Sequence, residues 1–253
     1  MMKQKIFIVL AILATLFAFT VQKKKTVTIF IAGDSTAQTY TEERDGLIKG
    51  WGQMLSLYLT DDVKVDNRAI GGRSTKTFIS EGRWDKLLAD VSKGDYVFIQ
   101  FGHNDASTRP ERHASYKDYE RNLEKFIQDT KAKGATPVLL TSVVMRTFQK
   151  GNLVDDRLKG YPVITRQVAK KKQVPMIDVN QKTRDFITML GDEPSKEYYR
   201  WVAPGVDHKK PDGLQDDTHM MDKGAKQVAF FVAEGIKESH LPNLSDKVKL
   251  DIE

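Results

Sequence analysis

Cysteine is absent from all 253 residues. That excludes disulfides, a thiolate metal site and a lipid anchor through cysteine, and it leaves stability to a hydrophobic core, which a chain of this length can build unaided. Also missing are a Gly-rich phosphate loop, zinc-finger spacing, internal repeats, low-complexity tracts and any stripe of basic and aromatic residues suited to nucleic acid. Nucleic-acid binding and cofactor-dependent chemistry are therefore not expected. No two histidines stand at ligand spacing on one element, so no metal is expected either. Long apolar runs are scarce. The exception, Ile6 to Val21, follows Lys3 and Lys5 and precedes QKKK at 22–25. That is the layout of a secretory signal, slightly long for a signal core and slightly short for a comfortable membrane span. We read 1–22 as a signal peptide and 23–253 as one exported domain, periplasmic or extracellular, monomeric and without a stable membrane partner.

What is present begins with charge. Lys and Arg number 40 against 34 Asp and Glu, a formal net charge of +6. A mild positive field suits a polyanionic substrate, although scattered lysines equally serve as a solvated surface.

Beyond the leader, apolar runs alternate with helical patterns. Val27 to Ala32, Val63 to Val65, Tyr96 to Phe101, Pro137 to Leu140 and Val174 to Ile177 read as strands. Several lack polar alternation, as strands buried on both faces of a parallel sheet do. Between them, Tyr119, Leu123, Phe126, Ile127 and Thr130 recur at spacings of three and four before Gly134; Trp84, Leu87, Leu88 and Val91 form a shorter helix; Val228, Phe231, Val232 and Ile236 mark one near the end. Alternating strand and helix implies βαβ units, hence a three-layer α/β/α sandwich around about five parallel strands. Residues 193–213, rich in Pro, Gly and aromatics, read as a long ordered loop.

Ligands in open α/β sheets gather at the carboxyl ends of strands, so the polar residues that follow each strand carry the information. Ser35 in GDS follows the first strand, the Gly71–Gly72 pair of NRAIGGRST the second, and GHND at 102–105 the third, while DDTH at 216–219 precedes the last helix. Four distant loops thus bring a hydroxyl, glycines, a carboxamide and an Asp/His pair to one rim. A serine needs a base to take its proton, and His219 is the one we assign. Asp216, three residues earlier, can accept a bond from the ring N–H and fix its tautomer. The backbone N–H groups of Ser35 and Gly72 and the side-chain amide of Asn104 are the expected donors to an oxyanion. Asp34 reads as a loop organiser, Gly71 as a turn needing positive φ, and Asp105 as a cap for the helix after the third strand. His103 is at most a supporting residue, and His113 and His240 lie on the surface. His208 and Trp201 are the substrate contacts we expect. The loop holding Tyr198, Tyr199 and Trp201 beside Arg200 and Lys209 suits stacking on sugars and meeting carboxylates.

The blocks GDS, the glycine of GGRS, GHND and DDTH, in that order, resemble the signature blocks of the SGNH (GDSL-type) hydrolases. The longer phrases GDSTAQ, NRAIGGRST, QFGHND, YPVITRQVAKKKQVPMIDV and PDGLQDDTH are similar to the rhamnogalacturonan acetylesterase branch, over about Val27 to Ser239. The resemblance implies a flavodoxin-like SGNH fold, Ser35 as nucleophile with Asp216 and His219 as partners, Gly72 and Asn104 in the oxyanion hole, and acetyl removal from pectic rhamnogalacturonan. Fungal members of that branch use disulfides and this chain has none, which bears on loop shape and not on the reaction. The expected activity is a serine carboxylic-ester hydrolase acting on an acetylated polysaccharide or oligosaccharide through an acyl-enzyme. The rivals are another acetylated glycan such as xylan, a lipase or thioesterase, which would need a long acyl groove, and a non-catalytic glycan-binding module, which has no use for a base aimed at a serine.

Overall fold

The first strand, β1 (Val27–Gly33), begins the part of the chain that the computed structural model describes, residues 26–154, 157–158 and 160–251. The signal peptide expected at 1–22 lies outside these described residues. β1 is followed by two one-turn helices, α1 (Glu42–Asp45) and α2 (Trp51–Met54), then β2 (Val63–Asn67), α3 (Thr75–Ser80), α4 (Arg83–Asp90) and β3 (Tyr96–Gln100). Next come α5 (Tyr116–Ala132), β4 (Thr136–Leu140), a short hairpin of β5 (Thr147–Gln149) and β6 (Asn152–Val154), and α6 (Gly160–Lys172). The chain closes with β7 (Met176–Ile177), α7 (Val179–Leu190), α8 (Asp192–Ser195), β8 (Tyr199–Val202), β9 (Leu214–Met220) and α9 (Asp222–Glu238).

Five strands form one parallel sheet in the order β2-β1-β3-β4-β7. Successive side chains of a strand point to opposite faces, and both faces here are covered. Phe30, Ala32, Val97, Ile99 and Leu139 pack with α3 to α6 residues such as Phe78, Trp84, Tyr119 and Phe126. Ile29, Ile31, Tyr96, Phe98, Val138 and Leu140 pack on the other side against Trp51 and the Ala225 to Ile236 stripe of α9. The result is the three-layer sandwich expected from periodicity. Because β2 lies on one side of β1 and β3 on the other, the chain reverses direction across the sheet between them, which opens a crevice at the carboxyl ends of β1 and β3.

Gln100, the last residue of β3 and 1 % exposed, closes the sheet at this rim. Its Oε1 accepts from Trp51 Nε1 at 2.7 Å, and its Nε2 donates to the Thr141 carbonyl at 3.1 Å. An amide buried without partners would cost about 1–3 kcal/mol, so these bonds fix the strand ends relative to one another.

The structure departs from the sequence reading at 193–213. The expected long loop contains α8 and β8, and β8 pairs antiparallel with β9, so DDTH lies in a strand and not in a plain loop. The last sheet strand is shorter than expected, Met176–Ile177 alone, because the Val174 N–H instead bonds the Ala169 carbonyl at the end of α6.

Gly224, in the first turn of α9, sits so close to Tyr198 that a Cβ would lie 1.8 Å from its carbonyl oxygen. A backbone atom cannot swing aside. Gly224→Ala should therefore lower stability by about 1–3 kcal/mol, read as a lower urea midpoint with an unchanged slope.

Candidate active site

Ser35 stands two residues past the end of β1, in a turn organised by its neighbour. Asp34 is fully buried, its Oδ1 accepts from the Thr36 N–H and Oγ1 at 2.9 Å each, and its carbonyl accepts from the N–H groups of Ala37 and Gln38. Asp34 is thus the loop organiser that the sequence indicates. The Ser35 carbonyl takes a bond of 2.9 Å from the Tyr40 hydroxyl, whose ionisation burial pushes far above the usual phenol range.

The Ser35 hydroxyl donates to Nε2 of His219 at 2.9 Å, across 184 positions of sequence. On the other side of the ring, Nδ1 donates to Asp216 Oδ2 at 2.7 Å. Three residues can bridge carboxylate and ring because β9 bulges: Arg200 pairs with Asp216 while Tyr199 pairs with Met220. The excess residues curl over Asp216, whose Oδ1 accepts from the N–H groups of Thr218 at 2.8 Å and His219 at 3.0 Å. Burial by itself would raise the Asp216 pKa, but the bond from the His219 ring, that ring's positive charge and the two N–H groups outweigh it and hold the carboxyl at about 2. An ionised carboxylate facing Nδ1–H leaves Nε2 free to accept, so the arrangement can draw a proton from Ser35.

The bulge also turns Asp217 away from the ring. Its Oδ1 accepts from Arg146 Nη1 at 2.7 Å and Trp201 Nε1 at 2.8 Å, with the Arg146 guanidinium 4.7 Å from the Trp201 ring centre. Arg146, 2 % exposed, also donates to Ser195 Oγ and to Asp192, and so ties the hairpin to α8.

The donors for an oxyanion come from the other loops. Gly72 has φ +80°, a conformation that favours glycine, whereas Gly71 does not, so the positive φ expected at Gly71 belongs to its neighbour. Gly71 is needed for proximity instead: a Cβ there would lie 2.9 Å from Gln38 Oε1 and 3.4 Å from the Ser35 Cβ. Among the described residues no hydrogen bond occupies the backbone N–H of Ser35 or of Gly72. Asn104 Oδ1 accepts from Arg112 Nη1 at 3.1 Å, which fixes the amide so that Nδ2 faces the Arg73 carbonyl at 3.1 Å with one N–H to spare. Asp105 does not cap the helix after β3, a role that falls to Ser115; it accepts instead from the N–H of Thr75 at 3.0 Å and from its hydroxyl, at the start of α3, whose N-cap is Ser74.

These groups surround one pocket of about 430 Å³ lined by Ser35, Gln38, Tyr40, Gly71, Gly72, His103, Asn104, Arg112, Arg157, Thr218 and His219. Trp201 and His208 are not among them. Trp201 lines a separate groove with Lys196 and Pro204, and the exposed His208 lies 3.4 Å from the Glu43 carbonyl. Arg200 is committed to a buried ion pair with Asp207 at 2.7 Å, and Tyr199 is buried. His113 and His240 are exposed. The sequence reading missed Gln38, Tyr40, Arg112, Arg157 and Arg146. Gln38 closes the phrase GDSTAQ but carries no role in the sequence reading, and Tyr40, Arg112, Arg157 and Arg146 stand outside the sequence blocks, so only the fold brings them to the rim or behind it.

A family model described as the GDSL-like lipase/acylhydrolase family matches residues 31–227. Rhamnogalacturonan acetylesterase RhgT of Bacillus subtilis (strain 168) is 38% identical over 219 residues, which span 87% of this chain and 93% of the relative. A second protein of that organism, named probable rhamnogalacturonan acetylesterase YesY, is 38% identical over 223 residues, 87% of this chain and 97% of the relative. Among solved structures, the protein YxiM of Bacillus subtilis superimposes with a TM-score of 0.72 at 26% identity, over 86% of this chain and 58% of the other.

Asp105, fully buried behind Asn104, has one oxygen without a hydrogen-bond partner. Burial pushes its carboxyl up to about 7 in spite of the Thr75 bonds, and the Asp34 charge pushes the same way. The folded protein therefore holds this proton more tightly than the unfolded chain. The stabilisation is complete below the ordinary carboxyl value of 3.8 and is lost as pH rises through about 7. Urea unfolding from pH 4 to 8 should show stability falling by up to about 1.4 kcal/mol per pH unit from this group. Asp105→Asn should remove that component of the slope.

Proposed function

The chain belongs to the GDSL-like lipase/acylhydrolase family and is an esterase, and from that premise we propose that it is an exported enzyme that removes O-acetyl groups from pectic rhamnogalacturonan through a serine acyl-enzyme. The observation that carries this reading is the unbroken line Asp216–His219–Ser35, with contacts of 2.7 and 2.9 Å, ending in a pocket where spare N–H donors converge. The substrate comes from the two relatives at 38% identity, whose names specify rhamnogalacturonan.

In the proposed cycle the Ser35 oxygen attacks the acetyl carbonyl carbon while His219 Nε2 takes its proton. Asp216 stabilises the imidazolium that forms. The carbonyl oxygen, now negative, is met by the N–H groups of Ser35 and Gly72 and by Asn104 Nδ2, donors fixed in advance by the turn, the left-handed glycine and the Arg112 contact. The tetrahedral adduct collapses, the sugar oxygen leaves with the proton from His219, and acetyl-Ser35 remains. Water then attacks with His219 again as base, releasing acetate and restoring the hydroxyl. The side chains that Gln38, Asn104, Arg112 and Arg157 bring to the pocket wall suit a sugar ester better than the long acyl chain of a lipase or thioesterase substrate.

Ser35→Ala should abolish acetate release from a chromogenic acetyl ester with the unfolding midpoint unchanged, and undiminished turnover would refute the mechanism. Asn104→Ala should lower kcat by about a hundredfold or more. Acetate release measured across acetylated rhamnogalacturonan and acetylated xylan should favour the former. A clear preference for xylan would overturn the substrate and leave the mechanism standing.

A further inference from the structure

Among the described residues, the pocket that holds Ser35 is lined by two arginines, Arg112 and Arg157, and by no aspartate or glutamate. Elsewhere in the fold arginines such as Arg73, Arg146, Arg166 and Arg200 are matched to carboxylates. Arg112 has none among the described residues. Among the described residues a single one of its five N–H donors is used, by the neutral Asn104 Oδ1.

The Arg112 guanidinium is also held in place over the reacting centre. The nearest atoms to a Cβ built on Gly72 are its Nη1 and Nη2, at 3.8 and 3.9 Å. The loop that carries it is tied at Pro110, whose carbonyl accepts from Lys76 Nζ at 2.9 Å, and at Ala114, whose carbonyl accepts from the Tyr161 hydroxyl at 2.7 Å. Half-buried and pre-positioned, the guanidinium presents an unfilled planar fork, the geometry that matches a carboxylate with two parallel bonds. The exposed Arg157, with Nη2 3.5 Å from the His103 carbonyl, adds a second positive charge to the same wall.

Resting on the acetylesterase reading above, we infer that Arg112 is a specificity-determining residue that binds the carboxylate of a uronate in the substrate, with Arg157 reinforcing it. The pocket then selects acidic acetylated sugars over neutral ones by pairing a charge that the described residues leave without a carboxylate. The positive wall also raises the local concentration of an anionic glycan, an effect that salt weakens.

The test measures kcat and KM for acetate release from an acetylated rhamnogalacturonan oligosaccharide and from the same oligosaccharide with its carboxyls reduced to alcohols. Wild type should favour the acidic form by about tenfold or more in kcat/KM, and 0.5 M salt, taken as roughly a 4–5 Å screening length, should narrow that ratio. Arg112→Gln should lower kcat on both forms alike, because the Asn104 amide loses its anchor, and should in addition raise KM on the acidic form alone and so collapse the ratio toward one, with Arg112→Lys keeping part of it and Arg157→Gln causing a smaller loss. Thermal unfolding of each variant confirms that it is folded. If Arg112→Gln slows both forms equally and preserves the ratio, Arg112 merely orients Asn104 and the proposal is overturned, as it also is if wild type does not distinguish the two forms. If wild type hydrolyses p-nitrophenyl acetate but neither oligosaccharide, the substrate reading itself falls and takes this proposal with it.

Discussion

The hydrogen bond between Ser35 and His219 is the constraint on which the rest of the site depends, and it joins two parts of the fold with different anchorage. Ser35 belongs to the parallel sheet. His219 rides on β9, which is laddered to β8 and stands outside that sheet. The contact therefore exists because the hairpin is fastened. Met220 is buried in the core beside His219, and its carbonyl accepts from the Lys49 N–H at 2.9 Å. The Tyr199 hydroxyl donates to the Val144 carbonyl at 2.7 Å. The Arg200–Asp207 pair, with Arg200 also bonded to the Asp45 carbonyl, clasps the turn of the hairpin to α1. Breaking one member of a buried pair costs about 3–5 kcal/mol, several times the net worth of a single neutral hydrogen bond at about 1 kcal/mol. The anchors, not the contact itself, set where the imidazole stands.

The same economy explains the bulge in β9. In a regular strand adjacent residues alternate faces, which could not send Asp216 to the ring, Asp217 to Arg146 and Met220 to the core from so short a span. Inserting the extra residues opposite Tyr199 and Arg200 frees the N–H groups of Thr218 and His219 to bind Asp216. One irregularity thus orients the carboxylate, keeps it ionised and aims the base.

How far this was legible follows from which residues carry local signals. The sheet was readable because strands buried on both faces must be continuously apolar, as VFI in β3 and VLL in β4 are. Helices α5 and α9 were readable because one face is apolar at helical spacing. β8 and β9 were not, since YRWV and LQDDTHM spend their side chains on ion pairs and on Ser35, and their strand character comes from each other. At the site, Ser35, Gly72, Asn104, Asp216 and His219 could be picked out because each follows a strand end or sits in a compact polar block, and the fold does bring them together. Trp201 and His208 were chosen from a loop by residue type, which carries no information about direction, and they face other surfaces. Arg112 has no signature at all, because a lone arginine in a polar loop gains meaning only when its neighbours fail to supply a carboxylate.

Charge around the pocket completes the argument. Three carboxyls stand close to the reacting centre, and the environment treats them differently. Asp216 is held at about 2, ionised beside the His219 ring. Asp105, next to Asn104, is held near 7, so close to neutrality it carries about half of a charge on average. A second full negative charge behind the amide would oppose the oxyanion that the proposed cycle sets against Asn104. Asp34 instead spends its Oδ1 on the turn that presents Ser35. Among the described residues that line the pocket there is no carboxylate and there are two guanidiniums, so those residues present positive charge where the proposed cycle develops negative charge.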